Sequence, residues 1–299
     1  MPTPLRRASD FDTPERRRMR KGMFLLPSLF TSANIAAGYY ALLQSLQGTA
    51  DDFWHFDHAA IAIGFAVLFD GLDGRIARMT NTASDFGREL DSLADVITFG
   101  VAPAVLAWMW GFHLLPLATN ENVSFWLELH SSNAHAKLVE AGIIASFVFL
   151  VAGASRLARF NISKNPQPSN PGRPGKKYFV GMPIPAGAGV IAAVVHFTGG
   201  EPLSWWAVAI SWAALIAALS FLMVSTWRFP SFKDIGFGQR HPFWMMIVIC
   251  GLIAAIWFYS QVVLFLIALA YMLSGVLMRF AWVVRRRPTA PPPVPQTQE

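Results

Sequence analysis

The sequence predicts an all-α, polytopic membrane protein with about eight transmembrane helices and both termini in the cytoplasm. Hydrophobic residues make up 54% of the chain and charged residues only 14%, whereas a typical soluble domain carries about 25% charged residues. Long apolar runs recur along the chain at lengths that suit a tilted helix crossing a bilayer. Basic residues collect between alternate runs, which is typical of a fixed orientation in the membrane.

The predicted spans follow from the apolar runs taken in order. The fifth run is short, and its start is left open between Phe179 and Pro185, because Pro183 and Pro185 break or kink a helix there. The eight predicted spans are Leu29–Leu46, His58–Arg78, Phe86–Gly111, Leu138–Phe160, Pro185–Phe197, Leu203–Trp227, Phe243–Tyr259 and Val262–Val284.

The distribution of Lys and Arg predicts the topology. If the N-terminus lies inside, the outside loops near 47–57, 113–136, 198–202 and 260–261 contain no Lys or Arg. Lys137 is the one marginal exception to this positive-inside pattern. We therefore expect an integral protein of a bacterial-type inner membrane. Spans two and three should meet at the cytoplasmic leaflet, and their ends there carry the polar residues.

Composition also divides the chain and excludes some partners. Residues 1–21 form a basic cytoplasmic arm, 22–284 the membrane domain, and 285–299 a Pro-rich tail predicted to be disordered. The net charge of +6 does not indicate nucleic acid, because the basic residues punctuate apolar segments and form no stripe with aromatic residues. Cys250 is the single cysteine, so no intrachain disulfide can form.

Four carboxylates lie inside otherwise apolar sequence: Asp70, Asp73, Asp91 and Asp95. Buried without partners at bilayer depth, they would cost on the order of 10 kcal/mol together. Helical spacing of three and four residues places each pair on one face of its helix. A short turn near 80–84 lets the two acidic faces converge. Two divalent cations, Mg²⁺ or Mn²⁺, would offset the repulsion, since hard cations prefer oxygen ligands.

Small residues and an arginine accompany these acids. Gly74, Gly87 and Ala77 let a bulky ligand approach the backbone, and Arg78 offers a planar donor fork that suits phosphate oxygens. The pattern favours a site for a metal-bound, phosphorylated ligand. The alternatives are a packed helix contact with paired acids and an ion-coupled transporter, although a transporter would spread its acids along a pathway at midplane depth.

The segment reads D-x2-D-G-x2-A-R-x8-G-x3-D-x3-D from Asp70 to Asp95. It resembles the signature of the CDP-alcohol phosphatidyltransferase family, whose members transfer a phosphatidyl or related group from a CDP-linked donor to an alcohol and release CMP. The resemblance implies a divalent-metal site. It also implies that each matching position has the role that it has in the family. The implied metal ligands are Asp70, Asp73, Asp91 and Asp95, with Asp95 also the general base, and the implied CDP-donor positions are Gly74, Ala77, Arg78 and Gly87.

These roles imply a direct displacement. An acceptor hydroxyl is a poor nucleophile at neutral pH, so a carboxylate within hydrogen-bond reach must take its proton. Attack on the phosphorus that bears the lipid then expels CMP in one in-line step. No Ser–His or Cys–His pair that would supply a covalent intermediate is evident in the sequence.

Further segments resemble one subfamily, the membrane-embedded phosphatidylserine synthases. They are LPSLFTSANIAAGYYAL, ELDSLADVITFGVAPAVL, SRLARFN, GMPIPAGAG and STWRFPSFKD. This resemblance extends over roughly 21–284 and implies CDP-diacylglycerol as the donor, L-serine as the acceptor and a homodimer. The open alternatives within the same chemistry are glycerol 3-phosphate and an inositol phosphate as acceptors.

Serine needs a cationic group for its carboxylate, which directs attention to polar residues at the cytoplasmic ends of spans four and six. Arg156 and Arg159 could meet a carboxylate bidentately, and ordinary positive-inside anchoring is their alternative role. The candidate acceptor residues are Arg156, Arg159, Asn161, Arg228, Lys233 and Asn34.

Overall fold

The computed structural model describes residues 14–80, 85–115, 131–162, 178–231 and 242–285. Within these ranges, side chains are described for 29–72, 86–115, 135–162, 178–231 and 246–284. Most of the predicted basic arm and nearly all of the predicted Pro-rich tail lie outside the described residues.

The described chain is mostly helical, which confirms the predicted class. The elements are α1 (Pro14–Gln47), α2 (Trp54–Thr80), α3 (Asp85–Asp95), π1 (Val96–Val101), α4 (Ala102–Trp108), π2 (Met109–His113), α5 (Ser131–Ile162), β1 (Tyr178–Val180), α6 (Ile184–Phe197), α7 (Trp206–Val224), β2 (Arg228–Pro230) and α8 (Pro242–Arg285). The helix α1 begins within the predicted arm, so part of that arm is helical.

Helix length and composition identify five segments that could cross a membrane: Trp54–Leu72, Phe86–His113, His135–Ile162, Trp206–Val224 and Met246–Val284. They correspond to predicted spans two, three, four and six and to the last two spans joined. The shorter apolar helix Ile184–Phe197 corresponds to span five. The protein is therefore an integral membrane protein with several apolar helices.

The third predicted span is one continuous helical path with two π-helical stretches. The elements α3, π1, α4 and π2 follow one another without a break from Asp85 to His113. A π-helical stretch often marks a functional site. Here π1 begins directly after Asp95.

The bundle has α6 inside and α8 on its periphery. α1 packs along α2, α5 packs along α7, and α6 lies between α2 and α8. Most side chains of α6 are buried, among them Ile184 and Ile191, and they meet Phe99 of π1 and Phe149 of α5 in the core. In α8, by contrast, the described apolar side chains are exposed or partly exposed and none of them is buried, as expected for a surface covered by lipid.

A pair of short antiparallel strands, which the sequence reasoning did not predict, joins two of the segments singled out above. Tyr178 pairs with Pro230, and Val180 with Arg228. Gly181 then turns the chain at φ 74°, a conformation that glycine adopts without strain. The helix α6 begins at Ile184 after Pro183, which confirms the predicted proline break and makes the start of this helix later than Phe179.

A polar group ties three helices together at the end of the bundle opposite Asp95. His196 at the end of α6 contacts the carboxylate of Asp57 through Nδ1 and the hydroxyl of Ser260 through Nε2, at 2.9 Å. Ser260 follows Tyr259, whose φ and ψ of −138° and 44° break α8. The sequence analysis noted no Ser–His pair, and this one is brought together by the fold. It lies far from the carboxylate cluster and holds α8 to α6 at the break.

Candidate active site

Three of the four predicted carboxylates converge. One oxygen each from Asp70 of α2 and from Asp91 and Asp95 of α3 lie within 4.8 Å of one another. Asp95 is buried, with 8% of its surface exposed, whereas Asp70 and Asp91 are partly exposed. Two unit charges 4 Å apart repel by about 4 kcal/mol near a protein surface, so this convergence favours a bound cation.

The donor set fits a divalent metal ion. Carboxylate oxygens are the ligands that Mg²⁺, Mn²⁺ and Ca²⁺ prefer. Asp91 and Asp95 occupy one face of α3 because they are four residues apart, and α2 brings Asp70 to the same point. The side chain of Asp73, the fourth predicted ligand, lies outside the described residues.

Arg156 is a buried cation beside these acids. It is 7% exposed and lies close enough to Asp95, Asp70 and Tyr271 to interact with each electrostatically. Its Nε is buried and has no hydrogen-bond partner within the described part of the chain. Since a buried donor without a partner is costly, this atom is well suited to an anionic ligand.

Arg159, one turn further along α5, has a structural role that the sequence did not indicate. Its Nη1 donates to the carbonyl of Val224 at 2.8 Å, and its Nη2 donates to the carbonyl of Ser225 at 3.3 Å. These carbonyls lie at the C-terminal end of α7, where backbone acceptors lack helical partners. Arg159 therefore caps α7. The capping uses the guanidinium donors that the sequence analysis assigned to the carboxylate of the acceptor.

Asn161 and Asn34 contact the same region from two directions. The amide of Asn161 donates to the hydroxyl of Ser92 at 3.0 Å and so ties the end of α5 to the helix of Asp91 and Asp95. Asn34 in α1 is 1% exposed, and neither polar atom of its side chain has a hydrogen-bond partner in the described ranges. Its backbone carbonyl accepts from Thr98, one turn beyond Asp95.

A small cavity of about 40 Å³ opens beside Arg156. It is lined by Arg156, Arg159, Phe160 and the strand β1. Arg228 of β2 lies over the ring of Tyr178 at 5.2 Å, so the strand pair carries a third arginine near this cavity. The candidate Lys233 lies outside the described residues.

The donor positions are only partly described. Gly87 is described and partly exposed near the start of α3. Gly74, Ala77 and Arg78 lie in α2, but their side chains fall outside the described residues.

Sequence reasoning missed Tyr271. This residue of α8 packs against Phe229 of β2, with ring centroids 5.9 Å apart, and lies next to Arg156. A tyrosine in an apolar span was an available signal, since a buried phenol usually has a polar partner.

An apolar helical bundle with clustered carboxylates and a buried arginine at one end could hold a metal ion beside an anionic group. The sequence profile of the CDP-alcohol phosphatidyltransferase family matches residues 24–219. This chain belongs to that family, as the acidic signature predicts.

Several relatives resemble the chain over most of its length. A CDP-diacylglycerol–serine O-phosphatidyltransferase of Helicobacter pylori is 34% identical over 71% of this chain and 75% of its own. One of Bacillus subtilis is 33% identical over 71% of this chain and 93% of its own. An archaetidylserine synthase of Methanothermobacter thermautotrophicus is 30% identical over 71% of this chain and 72% of its own.

Proposed function

We propose that this enzyme transfers the phosphatidyl group of CDP-diacylglycerol to the hydroxyl of L-serine and forms phosphatidylserine and CMP. The observation that carries the proposal is the convergence of Asp70, Asp91 and Asp95 beside Arg156 in a chain of this family. The names of the H. pylori and B. subtilis relatives support serine as the acceptor.

The carboxylates would hold two divalent ions, Mg²⁺ or Mn²⁺, with Asp73 as the fourth ligand. Bound there, the ions would neutralise the diphosphate of the donor and stabilise the charge that develops on the leaving CMP. Gly74, Ala77, Arg78 and Gly87 would bind the nucleotide. These assignments rest on the family signature and on the chemistry of the three converging acids.

Asp95 would act as the general base. It is the most buried of the three acids, and exclusion of water from one oxygen suits a group that must take a proton from a weakly acidic hydroxyl. The serine oxygen would then attack the phosphorus that bears the lipid, and the bond to CMP would break on the opposite side.

The serine carboxylate would bind at Arg156. Its unpartnered Nε and the adjacent cavity support this placement. Arg159 donates hydrogen bonds to carbonyls at the end of α7, which leaves fewer guanidinium donors for a phosphorylated acceptor. This favours serine over glycerol 3-phosphate or an inositol phosphate.

With eight spans and both termini in the cytoplasm, this site would lie at the cytoplasmic face of a bacterial-type inner membrane. The protein would be a homodimer. The length of α8 supports the eighth span. Its 44 residues would extend about 66 Å if continuous, roughly twice the hydrocarbon thickness of a bilayer. The break at Tyr259 would therefore separate two crossings.

The experiment is release of CMP from purified protein given CDP-diacylglycerol and either Mg²⁺ or Mn²⁺. L-serine, glycerol 3-phosphate and inositol phosphate are offered separately, and a chelator is the metal control. We expect release that requires both serine and metal, with phosphatidylserine as the lipid product. Release with another acceptor would overturn serine and keep the chemistry, whereas no release from folded protein would contradict the transferase proposal.

A further inference from the structure

The register of the strand pair decides which backbone groups of β1 are used within the sheet. Directly opposite residues of an antiparallel pair alternate between hydrogen-bonded pairs and pairs without hydrogen bonds. The N–H of Gly181 donates to the carbonyl of Trp227, the residue opposite it in this register, at 2.8 Å. The neighbouring pair, Val180 and Arg228, is therefore one without hydrogen bonds between its members.

The backbone N–H and C=O of Val180 consequently point away from β2. Within the described residues, neither group makes a backbone hydrogen bond to another element. Pro230, whose nitrogen carries no hydrogen, occupies an equivalent outward-facing position on β2, as expected for a position that donates nothing to the sheet. Val180 thus offers one donor and one acceptor at the free edge of β1.

The cavity of about 40 Å³ beside Arg156 lies along this edge. Among the described residues, its lining consists of the three residues of β1 and of Arg156, Arg159 and Phe160 from α5. Successive side chains of a strand point to opposite faces, so a cavity that meets three consecutive residues lies at the edge of the strand. The unpartnered Nε of Arg156 and the backbone groups of Val180 therefore border the same space.

An α-amino acid matches these groups. In a strand pair, each hydrogen-bonded residue presents its N–H and C=O to the same partner residue. A free amino acid carries an ammonium group and a carboxylate at the corresponding two positions. Opposite Val180, the ammonium would donate to the Val180 carbonyl, and the carboxylate would accept from the Val180 N–H, as one residue of an added strand does. The other carboxylate oxygen would accept from Arg156.

Phosphorylated acceptors match this edge less well. Glycerol 3-phosphate and an inositol phosphate carry no ammonium group, so they bring no cationic donor to the Val180 carbonyl. A phosphate is also larger than a carboxylate, and a cavity of about 40 Å³ holds roughly three water-sized groups.

We propose that the free edge of β1 binds the main-chain groups of the acceptor amino acid. The carbonyl of Val180 accepts from the ammonium, and the N–H of Val180 binds the carboxylate together with Arg156. This inference rests on the proposed function and deepens it, because it makes the acceptor an α-amino acid through contacts with the backbone.

The first test is hydrogen–deuterium exchange of the full-length protein with Mg²⁺ and CMP but no lipid donor, so that no turnover occurs. Fragment ions that end at Phe179 and at Val180 resolve the two amides. At the serine concentration that saturates CMP release, L-serine or L-alanine should slow exchange at Val180 at least about fivefold. Phe179, which pairs with Phe229 of β2, should exchange slowly throughout. Unchanged exchange at Val180, or equal slowing by glycerol 3-phosphate, would overturn the proposal.

The second test removes the N–H of Val180. Val180→Pro costs no bond between the strands, since this N–H points away from β2, and it should raise the KM for serine about tenfold through loss of a hydrogen bond to a charged group. Val180→Ala keeps the N–H and should raise this KM far less. Equal KM values in the two variants would contradict the proposal. If Val180→Pro does not fold, the exchange experiment on the parent protein decides.

The third test is competition against L-serine in the formation of phosphatidylserine. L-alanine keeps both main-chain groups and should compete. The analogues 3-hydroxypropionate and ethanolamine each lack one of these groups and should bind at least about tenfold more weakly. Equal inhibition by all three compounds would contradict recognition of both groups.

Failure of this inference is distinguishable from failure of the proposed function. If folded protein releases no CMP with serine, both are wrong. If serine supports CMP release while exchange at Val180 is unchanged, the transferase function stands and only the binding edge is wrong.

Discussion

Burial distinguishes Asp95 from Asp70 and Asp91, although the three side chains are chemically identical. Asp95 faces the protein interior and Arg156, while the other two acids are partly open to solvent. A carboxylate that has lost water on one side is suited to receive a proton, and more exposed carboxylates are suited to hold an exchangeable ion.

Asp95→Asn should lower kcat by at least about 100-fold, because the amide cannot take the hydroxyl proton. CMP release measures the effect, and Asp52→Asn, the same change at an exposed position near α2, is the control that should retain activity. Activity of Asp95→Asn within tenfold of the parent would exclude Asp95 as the base.

Asp70→Ala should raise the divalent-metal concentration needed for half-maximal activity at least about tenfold, because the cluster would lose one of its proposed ligands. Metal titration of CMP release measures it, with binding of Mn²⁺ to the purified protein as a second readout. An unchanged metal requirement would remove Asp70 from the ligand set.

Arg156 and Arg159 should respond differently to removal. Arg156→Ala should raise the KM for serine about tenfold or more, with less effect on the KM for CDP-diacylglycerol, because a hydrogen bond to a charged group is lost. Arg156→Lys, which keeps the charge without the planar fork, should recover part of the loss.

Arg159→Ala should mainly lower Tm, since the α7 carbonyls lose their cap. A serine-specific effect of Arg159→Ala alone would reverse these assignments.

At the scale of elements, the strand pair and the turn after it set the position of the cavity beside Arg156. The N–H of Gly181 donates to the carbonyl of Trp227 at 2.8 Å, and that of Met182 donates to the carbonyl of Leu222 at 3.0 Å. These bonds hold the start of α6 to the end of α7, the same helix end that Arg159 caps. The cavity beside Arg156 thus depends on backbone contacts between elements far apart in the chain.

Gly181→Ala should destabilise the protein by about 1 kcal/mol or more, because Gly181 has φ 74° and a Cβ there would lie 2.5 Å from the carbonyl oxygen of Met223. Gly189→Ala in α6 is the matched control, since no atom lies within 4 Å of its added Cβ, and it should be neutral or stabilising. Thermal unfolding in detergent measures both, and equal Tm values for the two variants would contradict the strained turn.

At the scale of the whole molecule, the bundle separates two polar ends. The carboxylate cluster occupies one end, and the contacts among Asp57, His196 and Ser260 occupy the other. The positive-inside pattern predicts that the first end faces the cytoplasm.

This orientation predicts the labelling of introduced cysteines in a Cys250→Ser background. In intact spheroplasts, Asp51→Cys should react with a membrane-impermeant maleimide, and Glu89→Cys should react only after lysis. Both residues are exposed, so accessibility to the reagent reports the side of the membrane. The opposite pattern would invert the topology.

The helical membrane class, the family and the three acids that converge in the structure could all be predicted from the sequence. Apolar runs and basic flanks reflect the cost of placing charge in hydrocarbon, which is a local property of sequence. Residue spacing alone likewise predicted the helix faces on which Asp70, Asp91 and Asp95 lie.

Which distant groups meet depends on the tertiary structure and could not be predicted from the sequence. The sequence assigned Arg156 and Arg159 the same role, but contact with the end of α7 gives Arg159 a capping function and leaves Arg156 beside the acids. Tyr271 beside Arg156, the strand pair and the Asp57–His196–Ser260 contacts join positions far apart in the chain. Such pairings depend on how helices pack, and residue spacing within one segment does not encode that packing.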